Sequence, residues 1–167
     1  SIVGDRFEKK EYHLPELILG GEILKEIAEL VKPHLQETAI ETEHLGKVVI
    51  GTVAGDIHDI GKDIVVFMLD VNNFEVHDLG VDVSAEAFVE KIKEVKPEIV
   101  ALSGFLTLAF DAMKSTVEAI KEAGVREGVK IMIGGAPVTQ NYCESIGADL
   151  YAPDAASAAD AAVEATT

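Results

Sequence analysis

The sequence feature that most limits the possible folds is a regular alternation of short apolar runs with amphipathic segments after residue 46. The apolar runs have the length and β-branched content of buried strands, and they cover residues 47–53, 74–78, 99–102, 130–133 and 149–151. The segments after them have the apolar spacing of helices and cover residues 62–71, 84–95, 109–123, a short stretch around 142, and 155–163. Strands joined by helices form right-handed crossovers and a parallel sheet. The sequence therefore predicts a flavodoxin-like (Rossmann-like) α/β domain whose five parallel strands have the order 2-1-3-4-5.

Residues that favour helix ends lie at the boundaries of these segments. Ser84 is suited to cap a helix N-terminus, and Asp154 has the same place before the last helix. Gly124 and Gly147 follow the third and fourth segments, where glycine commonly ends a helix. These residues support the predicted helix boundaries independently of the apolar spacing.

The first 35 residues have a different pattern. Apolar residues recur at helical spacing between residues 14 and 35, which predicts one amphipathic helix. A single helix cannot bury its own apolar stripe. We therefore expect residues 1–35 to be the C-terminal part of a larger helical bundle that begins upstream of Ser1. Residues 36–46 are polar and acidic, and we interpret them as a linker to the main domain, residues 47–167.

The charge balance excludes several classes of partner. The chain has 14 Lys and Arg residues against 30 Asp and Glu residues, and its formal net charge of -16 repels phosphate backbones and anionic membrane surfaces. No apolar run approaches the roughly 20 residues that span a bilayer. The single cysteine, Cys143, cannot form an internal disulfide. We expect a cytoplasmic protein that binds neither nucleic acid nor membranes.

The loops after the strands contain the candidate functional residues, because ligands of open parallel sheets bind at the carboxyl ends of the strands. In the first loop, Asp56 lies two residues before His58. Asp56 can accept a hydrogen bond from one ring nitrogen and leave the other nitrogen for a metal. A hydrogen-bonded structural pair is an equally valid interpretation of these two residues alone.

The sequence also limits the kind of metal site. No group of Cys, His and carboxylate residues has the spacing of a zinc site, which argues against a metal cage built by the protein alone. A metal that arrives inside a macrocycle needs only one axial side chain from the protein. His58 is the candidate for such a ligand.

Three motifs in these loops resemble the cobalamin-binding domain of methionine synthase and its relatives. The motifs are Asp56-x-His58-x-x-Gly61, Ser103 with Thr107 four residues later, and Gly134-Gly135-Ala136. They follow the first, third and fourth predicted strands, as in that family, and the resemblance extends over nearly the whole chain. The chain is most similar to the small corrinoid proteins of methanol, methylamine and methoxy-aromatic (O-demethylase) methyltransferase systems.

The resemblance implies a role for the residues of the first two motifs. In the family, the benzimidazole base of cobalamin leaves the cobalt and a histidine replaces it. This implies that His58 is the cobalt ligand and that Asp56 is its hydrogen-bond partner. Ser103 and Thr107 would then contact the displaced base.

The resemblance also implies roles for the third motif and for the N-terminal segment. Gly134-Gly135-Ala136 would let the backbone approach the nucleotide tail closely, because glycine has no side chain. Phe7 and Leu14 match apolar residues of a helical cap that shields the methyl group on the upper face of the corrin. Ordinary core positions of a helical bundle are the alternative interpretation of these two residues.

The function that the resemblance implies is that of a methyl carrier, not catalytic alone. In the family, cob(I)alamin takes a methyl group from a donor-specific methyltransferase, and methylcobalamin delivers it to an acceptor methyltransferase that uses tetrahydrofolate or coenzyme M. A reductive activator is a further expected partner. The cofactor supplies the chemistry, and the protein supplies binding, orientation and the cobalt ligand.

Two positions depart from the family pattern. Phe105 stands where the family has leucine, which predicts different packing around the nucleotide tail. Ala109 stands where methionine synthase has a serine that completes a His-Asp-Ser relay. We therefore expect Asp56 to complete its hydrogen bonding with water or backbone.

Two other functions share parts of this pattern. The cobalamin-binding part of an adenosylcobalamin-dependent mutase has all three motifs, although the cap-like segment with Phe7 and Leu14 argues against it. A cobalamin-sensing regulatory module would need an attached effector domain, and none is visible in the sequence.

Overall fold

The structure is a computed structural model that describes residues 44–166 and five positions in the N-terminal segment. The chain divides into two compact units, residues 1–43 and 44–167. The five N-terminal positions are all helical and all exposed: Leu19, Ile23, Glu26, Ile27 and Leu30. The predicted helix over 14–35 is thus helical wherever it is described, and the four apolar side chains form an exposed stripe at helical spacing. Phe7, Leu14 and residues 36–43 lie outside the described residues.

Within residues 44–166, five parallel strands form one sheet. The strands are β1 (Lys47–Thr52), β2 (Glu75–Asp78), β3 (Ile99–Ser103), β4 (Lys130–Gly134) and β5 (Leu150–Ala152). Their order is β2-β1-β3-β4-β5, which confirms the flavodoxin-like order predicted from the sequence. The central strands are covered on both faces, which explains why their sequences are continuous apolar runs without alternation.

Five helices connect or follow these strands in the same part of the chain. They are α1 (Ile60–Val71), α2 (Ala85–Val95), α3 (Leu108–Glu122), α4 (Gln140–Ile146) and α5 (Ala155–Thr166). The predicted caps are present: Ser84 Oγ accepts a hydrogen bond from the Ala87 amide, Asp154 accepts one from the Ser157 amide, and Gly147 is left-handed. No described helix combines the length and hydropathy that a membrane span requires.

Helix α1 begins earlier than the sequence predicts. The Asp63 amide donates to the Asp59 carbonyl at 2.8 Å, so the helical hydrogen bonding already includes the residues before Lys62. Gly61 therefore lies in the first turn of α1 and not in the preceding loop.

The two faces of the sheet have cores of different side-chain size. On one face, α2, α3 and α4 contribute large side chains that include Phe88, Met113 and Ile120. On the other face, α1 contributes Leu69 and α5 contributes mainly alanines. Short side chains fill less space between helix and sheet, and this is the face that contains a cleft.

Candidate functional site

The three motif loops meet at the carboxyl edge of the sheet. In the pairing of β1 with β3, Thr52 is opposite Ser103, and in the pairing of β3 with β4, Ser103 is opposite Gly134. The strands therefore end at the same level, and the residues that follow them are neighbours. Strand order and register alone bring the three motifs together.

Asp56 is the centre of the first two loops. Its side chain is fully buried, and it accepts four hydrogen bonds. Oδ1 accepts from the backbone amide and from Nδ1 of His58, at 3.0 and 2.7 Å. Oδ2 accepts from the backbone amides of Phe105 and Leu106, at 2.6 and 2.9 Å. The carboxylate therefore ties the loop after β1 to the loop after β3.

This hydrogen bonding decides the charge of Asp56. Burial acts to raise its pKa, but the amides of Leu106 and Phe105 and the two donors of His58 together prevail and hold the pKa well below its usual range. The prediction that Asp56 completes its hydrogen bonding with backbone agrees with these contacts. A carboxylate has about four acceptor sites, so Asp56 needs no serine to complete them.

His58 has one ring nitrogen engaged and one available. Because the ionised Asp56 can only accept, Nδ1 of His58 donates a hydrogen bond to Oδ1. In the neutral imidazole the lone pair is then on Nε2, which has no hydrogen-bond partner among residues 44–166. The side chain is 49% exposed, while the backbone carbonyl of His58 accepts from Thr52 Oγ1 at 2.9 Å. A metal-ligating histidine commonly donates its other ring N–H to a carboxylate in this way, and the hydrogen bond sets the tautomer.

The Phe105 ring lies against the His58 ring. The ring centroids are 4.5 Å apart, and the planes are inclined by 34°. The sequence identifies Phe105 only as a departure from a family pattern and gives no sign of this contact. Nor does it identify Phe105 and Leu106 as partners of Asp56, since any residue except proline can supply a backbone N–H.

A cleft of about 260 Å³ lies beside these residues, between α1, α5 and the sheet. Its lining is mostly small and apolar, with Ala101, Met132 and Ala152 among the residues contributed by strands. Five of the residues named from the motifs also line it: Gly61, Ser103, Gly134, Gly135 and Ala136. Thr107 is not among the lining residues; it is the exposed N-cap residue of α3 and makes no capping hydrogen bond with its side chain.

Gly135 is required by packing within the protein. Its φ is +132°, and a Cβ there would lie 1.8 Å from the carbonyl oxygen of Gly104. The Gly104 amide in turn donates to the Gly134 carbonyl. A Cβ at Gly134 would lie 3.1 Å from the Ala152 oxygen. This close backbone approach is a reason for Gly135 that the sequence interpretation, based on the nucleotide tail, does not contain.

Ala109 also belongs to this tight packing. It is buried, and a Cβ added at Gly104 would lie 2.6 Å from the Ala109 Cβ. The small side chain at position 109 therefore lets the loop after β3 lie close to α3.

Lys62 is a site residue that the sequence reasoning misses. It is buried at the edge of the cleft, and Nζ donates to Asp63 Oδ1 at 2.7 Å and to Asp78 Oδ2 at 2.6 Å. Burial acts to lower its pKa, but the hydrogen bonds that Nζ donates to the two carboxylates and their negative charges raise the pKa above the ordinary value. The ammonium therefore stays charged and connects α1 to the end of β2. The sequence signal that could have identified Lys62 is Asp78, a charged residue at the end of β2, the strand beside β1.

Asp82 is a second such residue. Its Oδ1 accepts from the Gly55 amide at 2.7 Å, and its own amide donates to the Asp56 carbonyl at 2.9 Å. The loop after β2 thus holds the His58 loop from the side opposite Phe105 and Leu106.

The sequence matches a known domain family and is similar to known proteins. Residues 46–163 match the family model of the B12-binding domain. The chain is 48% identical over 153 residues to trimethylamine corrinoid protein 1 of Methanosarcina acetivorans, an alignment that covers 92% of this chain and 71% of the relative.

Solved structures give a consistent result. A cobalamin-binding protein from Desulfitobacterium hafniense DCB-2 is 44% identical, with a TM-score of 0.74, and the match covers 98% of this chain and 76% of that one. The methanol:cobalamin methyltransferase complex MtaBC from Methanosarcina barkeri contains a chain that is 27% identical, with a TM-score of 0.69 and coverage of 98% and 62%.

Proposed function

Because the chain belongs to the B12-binding domain family, we propose that it binds cobalamin and carries a methyl group on the cobalt between methyltransferases. Its similarity to a trimethylamine corrinoid protein and to a chain of a methanol:cobalamin methyltransferase complex favours this function over a mutase subunit or a regulatory module. The observation that supports it most directly is the Asp56–His58 pair beside a cleft lined by motif residues.

The side chains fit a metal held in a macrocycle. His58 offers one nitrogen, and the described residues contain no group of three metal-ligating side chains. A single axial ligand is what a macrocyclic metal needs from the protein. Bound cobalamin supplies the cobalt that accepts and releases the methyl group. His58 would ligate the cobalt, and the hydrogen bond to Asp56 would keep Nδ1 as the N–H of the neutral imidazole, so that Nε2 would be the nitrogen left for the metal.

The cleft receives the nucleotide tail in this proposal. Gly61, Ser103 and the Gly134–Ala136 loop leave room beside the sheet because their side chains are small or absent. Thr107 follows the same strand as Ser103 and is exposed but does not line the cleft; in this proposal it would contact the displaced base. An apolar cleft with few polar groups suits a planar aromatic base.

The partners follow from the same function. A donor-specific methyltransferase and an acceptor methyltransferase bind the carrier in turn, and a reductive activator restores the cofactor. We keep the sequence-based interpretation of residues 1–35, with Phe7 and Leu14, as part of a helical cap, and of residues 36–46 as a linker to the domain at 47–167. The strongly acidic chain favours partners with basic docking surfaces.

Replacement of His58 tests the proposal. The His58→Ala protein is expected to retain cobalamin through the cleft but to lose the nitrogen hyperfine splitting in the electron paramagnetic resonance spectrum of its cob(II)alamin form. His77→Ala is a matched control, because His77 also pairs with a carboxylate two residues earlier, Glu75, at 2.8 Å. An unchanged spectrum in His58→Ala would remove His58 as the ligand.

A further inference from the structure

Phe105 contacts the site in two independent ways. Its backbone amide donates to Asp56 Oδ2 at 2.6 Å, and its ring lies 4.5 Å from the ring of His58. Although it contacts another aromatic ring, the side chain is 49% exposed. Because about half of Phe105 stays exposed, burial of its ring contributes less to folding stability than that of a core phenylalanine, and its position calls for another explanation.

The hydrogen bond to Asp56 sets which ring nitrogen of His58 faces the carboxylate. It does not by itself set the ring plane, because rotation about the Cβ–Cγ bond can tilt the ring while Nδ1 stays within hydrogen-bonding distance. The neighbouring apolar residues do not close around it, since Ile57 is 72% exposed and Ile60 is 49% exposed. Among the described residues, Phe105 provides the aromatic contact with the face of this imidazole.

The backbone on both sides of Phe105 is hydrogen-bonded and closely packed. The preceding residue, Gly104, donates to the Gly134 carbonyl and is packed so closely that an added Cβ would lie within 2.8 Å of Met113 Cε. The next residue, Leu106, donates to Asp56. The Phe105 ring therefore extends from a fixed support, as a side chain that orients another group must.

We propose that Phe105 is a positioning residue that sets the plane of the His58 imidazole and so orients Nε2 before the corrin arrives. The inference rests on the proposed function, in which His58 ligates cobalt. A leucine at this position fills space, but it lacks the flat face that can stack on an imidazole. Orienting a ligand in advance reduces the ordering cost of binding.

Cobinamide isolates this effect, because it has the corrin ring but no nucleotide tail for the cleft. Aromatic pairs contribute enough free energy that losing one changes an equilibrium by about 2- to 10-fold. Phe105→Ala is expected to weaken aquocobinamide binding by that factor, Phe105→Leu by less, and Phe105→Tyr is expected to retain parent affinity. Val71→Ala removes a comparably exposed apolar side chain from the far end of α1 and serves as the control.

A double-mutant cycle separates positioning from direct contact with the corrin. If Phe105 acts through His58, Phe105→Ala has no further effect on cobinamide affinity in a His58→Ala protein. A loss of the same size in both backgrounds would mean that Phe105 contacts the corrin itself, and it would overturn the inference. An effect of His58→Ala without any effect of Phe105→Ala overturns the positioning role alone. No effect of His58→Ala overturns the ligand assignment as well.

Nuclear magnetic resonance of the cobalamin-free protein gives a second measurement. The Phe105 ring current shifts the His58 ring protons, so Phe105→Leu is expected to move these signals while amide signals of β4 and β5 stay in place. Unmoved His58 signals would show that the rings do not stack in solution and would overturn the proposal.

Discussion

The amino edge and the carboxyl edge of the sheet each contain an aspartate that accepts hydrogen bonds from backbone amides, but the two aspartates have different side-chain partners. At the amino edge, Asp149 Oδ2 accepts from the Ile131 amide and from the guanidinium of Arg126, each at 2.7 Å. At the carboxyl edge, Asp56 binds backbone amides and His58. Each carboxylate joins two loops that are distant in sequence. The partner differs, since arginine has no lone pair to offer, whereas the imidazole keeps one nitrogen for a ligand.

The surroundings of the two carboxylates differ as well. Arg126 also donates to the carbonyl oxygens of Val129 and Gly147, so its guanidinium binds the protein's own backbone, although its buried Nε has no hydrogen-bond partner among the described residues. At the carboxyl edge, large apolar side chains are left exposed, namely Ile57, Phe105, Leu106 and Leu108. Exposed apolar groups around a polar centre are typical of a binding surface. In both places a carboxylate bound by backbone amides connects separate segments, but only the partner of Asp56 retains a ring nitrogen that could bind a ligand.

The largest expected effect is a loss of stability on replacing Gly135 at the carboxyl edge, which we compare with replacing Gly128 at the amino edge. Gly135→Val places a side chain against the Gly104 carbonyl at a positive φ, so we expect the free energy of unfolding to fall by about 3 kcal/mol or more. Gly128, in the loop before β4, has a φ of +82° and open space around its Cβ position. Gly128→Ala is therefore expected to cost only about 1 kcal/mol. Urea unfolding of both variants measures the difference, and equal losses would show that φ alone matters.

The next effect compares the two carboxylates directly. Asp56→Asn and Asp149→Asn each leave backbone amides without their charged acceptor, and we expect each to lower the free energy of unfolding by about 1–3 kcal/mol. Only Asp56→Asn is expected to weaken histidine coordination, by about 10- to 100-fold, since it removes the group that orients His58. Unfolding curves and cobalamin titrations separate the two outcomes. A binding loss of similar size in Asp149→Asn would refute the division of roles.

A smaller effect concerns the ion pair at the cleft. Lys62→Met removes a buried ammonium whose two partners are about one-third exposed, so solvent screening limits the expected loss to about 1 kcal/mol. Because the pKa of Lys62 is raised above its ordinary value of 10.5, the stabilisation is fully present below that pH and is lost as the pH rises beyond it. The parent and the variant should thus converge in stability at strongly alkaline pH. A constant difference across that range would assign the loss to packing.

The smallest effect concerns Ala109→Ser. Asp56 already accepts four hydrogen bonds, so a new hydroxyl has no vacant acceptor site there. We expect histidine coordination to change by less than about twofold, a factor worth about 0.4 kcal/mol. The nitrogen hyperfine splitting of cob(II)alamin provides the measurement. A pronounced change would mean that the serine displaces one of the amide donors.

The sequence predicts the fold because its strands and helices have separate apolar patterns, and the strand order and the family are confirmed. It also predicts the Asp56–His58 contact, which depends only on two residues in one loop. It does not predict that the backbone amides of Phe105 and Leu106 donate to Asp56, because every residue except proline has a backbone N–H and the residue type therefore carries no signal. The pairing of Lys62 with Asp78 escapes it for another reason, since this contact exists only once β2 lies beside β1.

The cleft on the alanine-rich face of the sheet couples the stability of the domain to the binding of a molecule in that cleft. Residues that line the cleft, such as Ala101 and Met132, lack the van der Waals contacts that they would have in a filled core. Any molecule that enters the native cleft and not the unfolded chain adds to the free energy of unfolding in proportion to the logarithm of its concentration over its dissociation constant. The melting temperature of this domain is therefore expected to rise with the concentration of free cobalamin, even after every cleft is occupied.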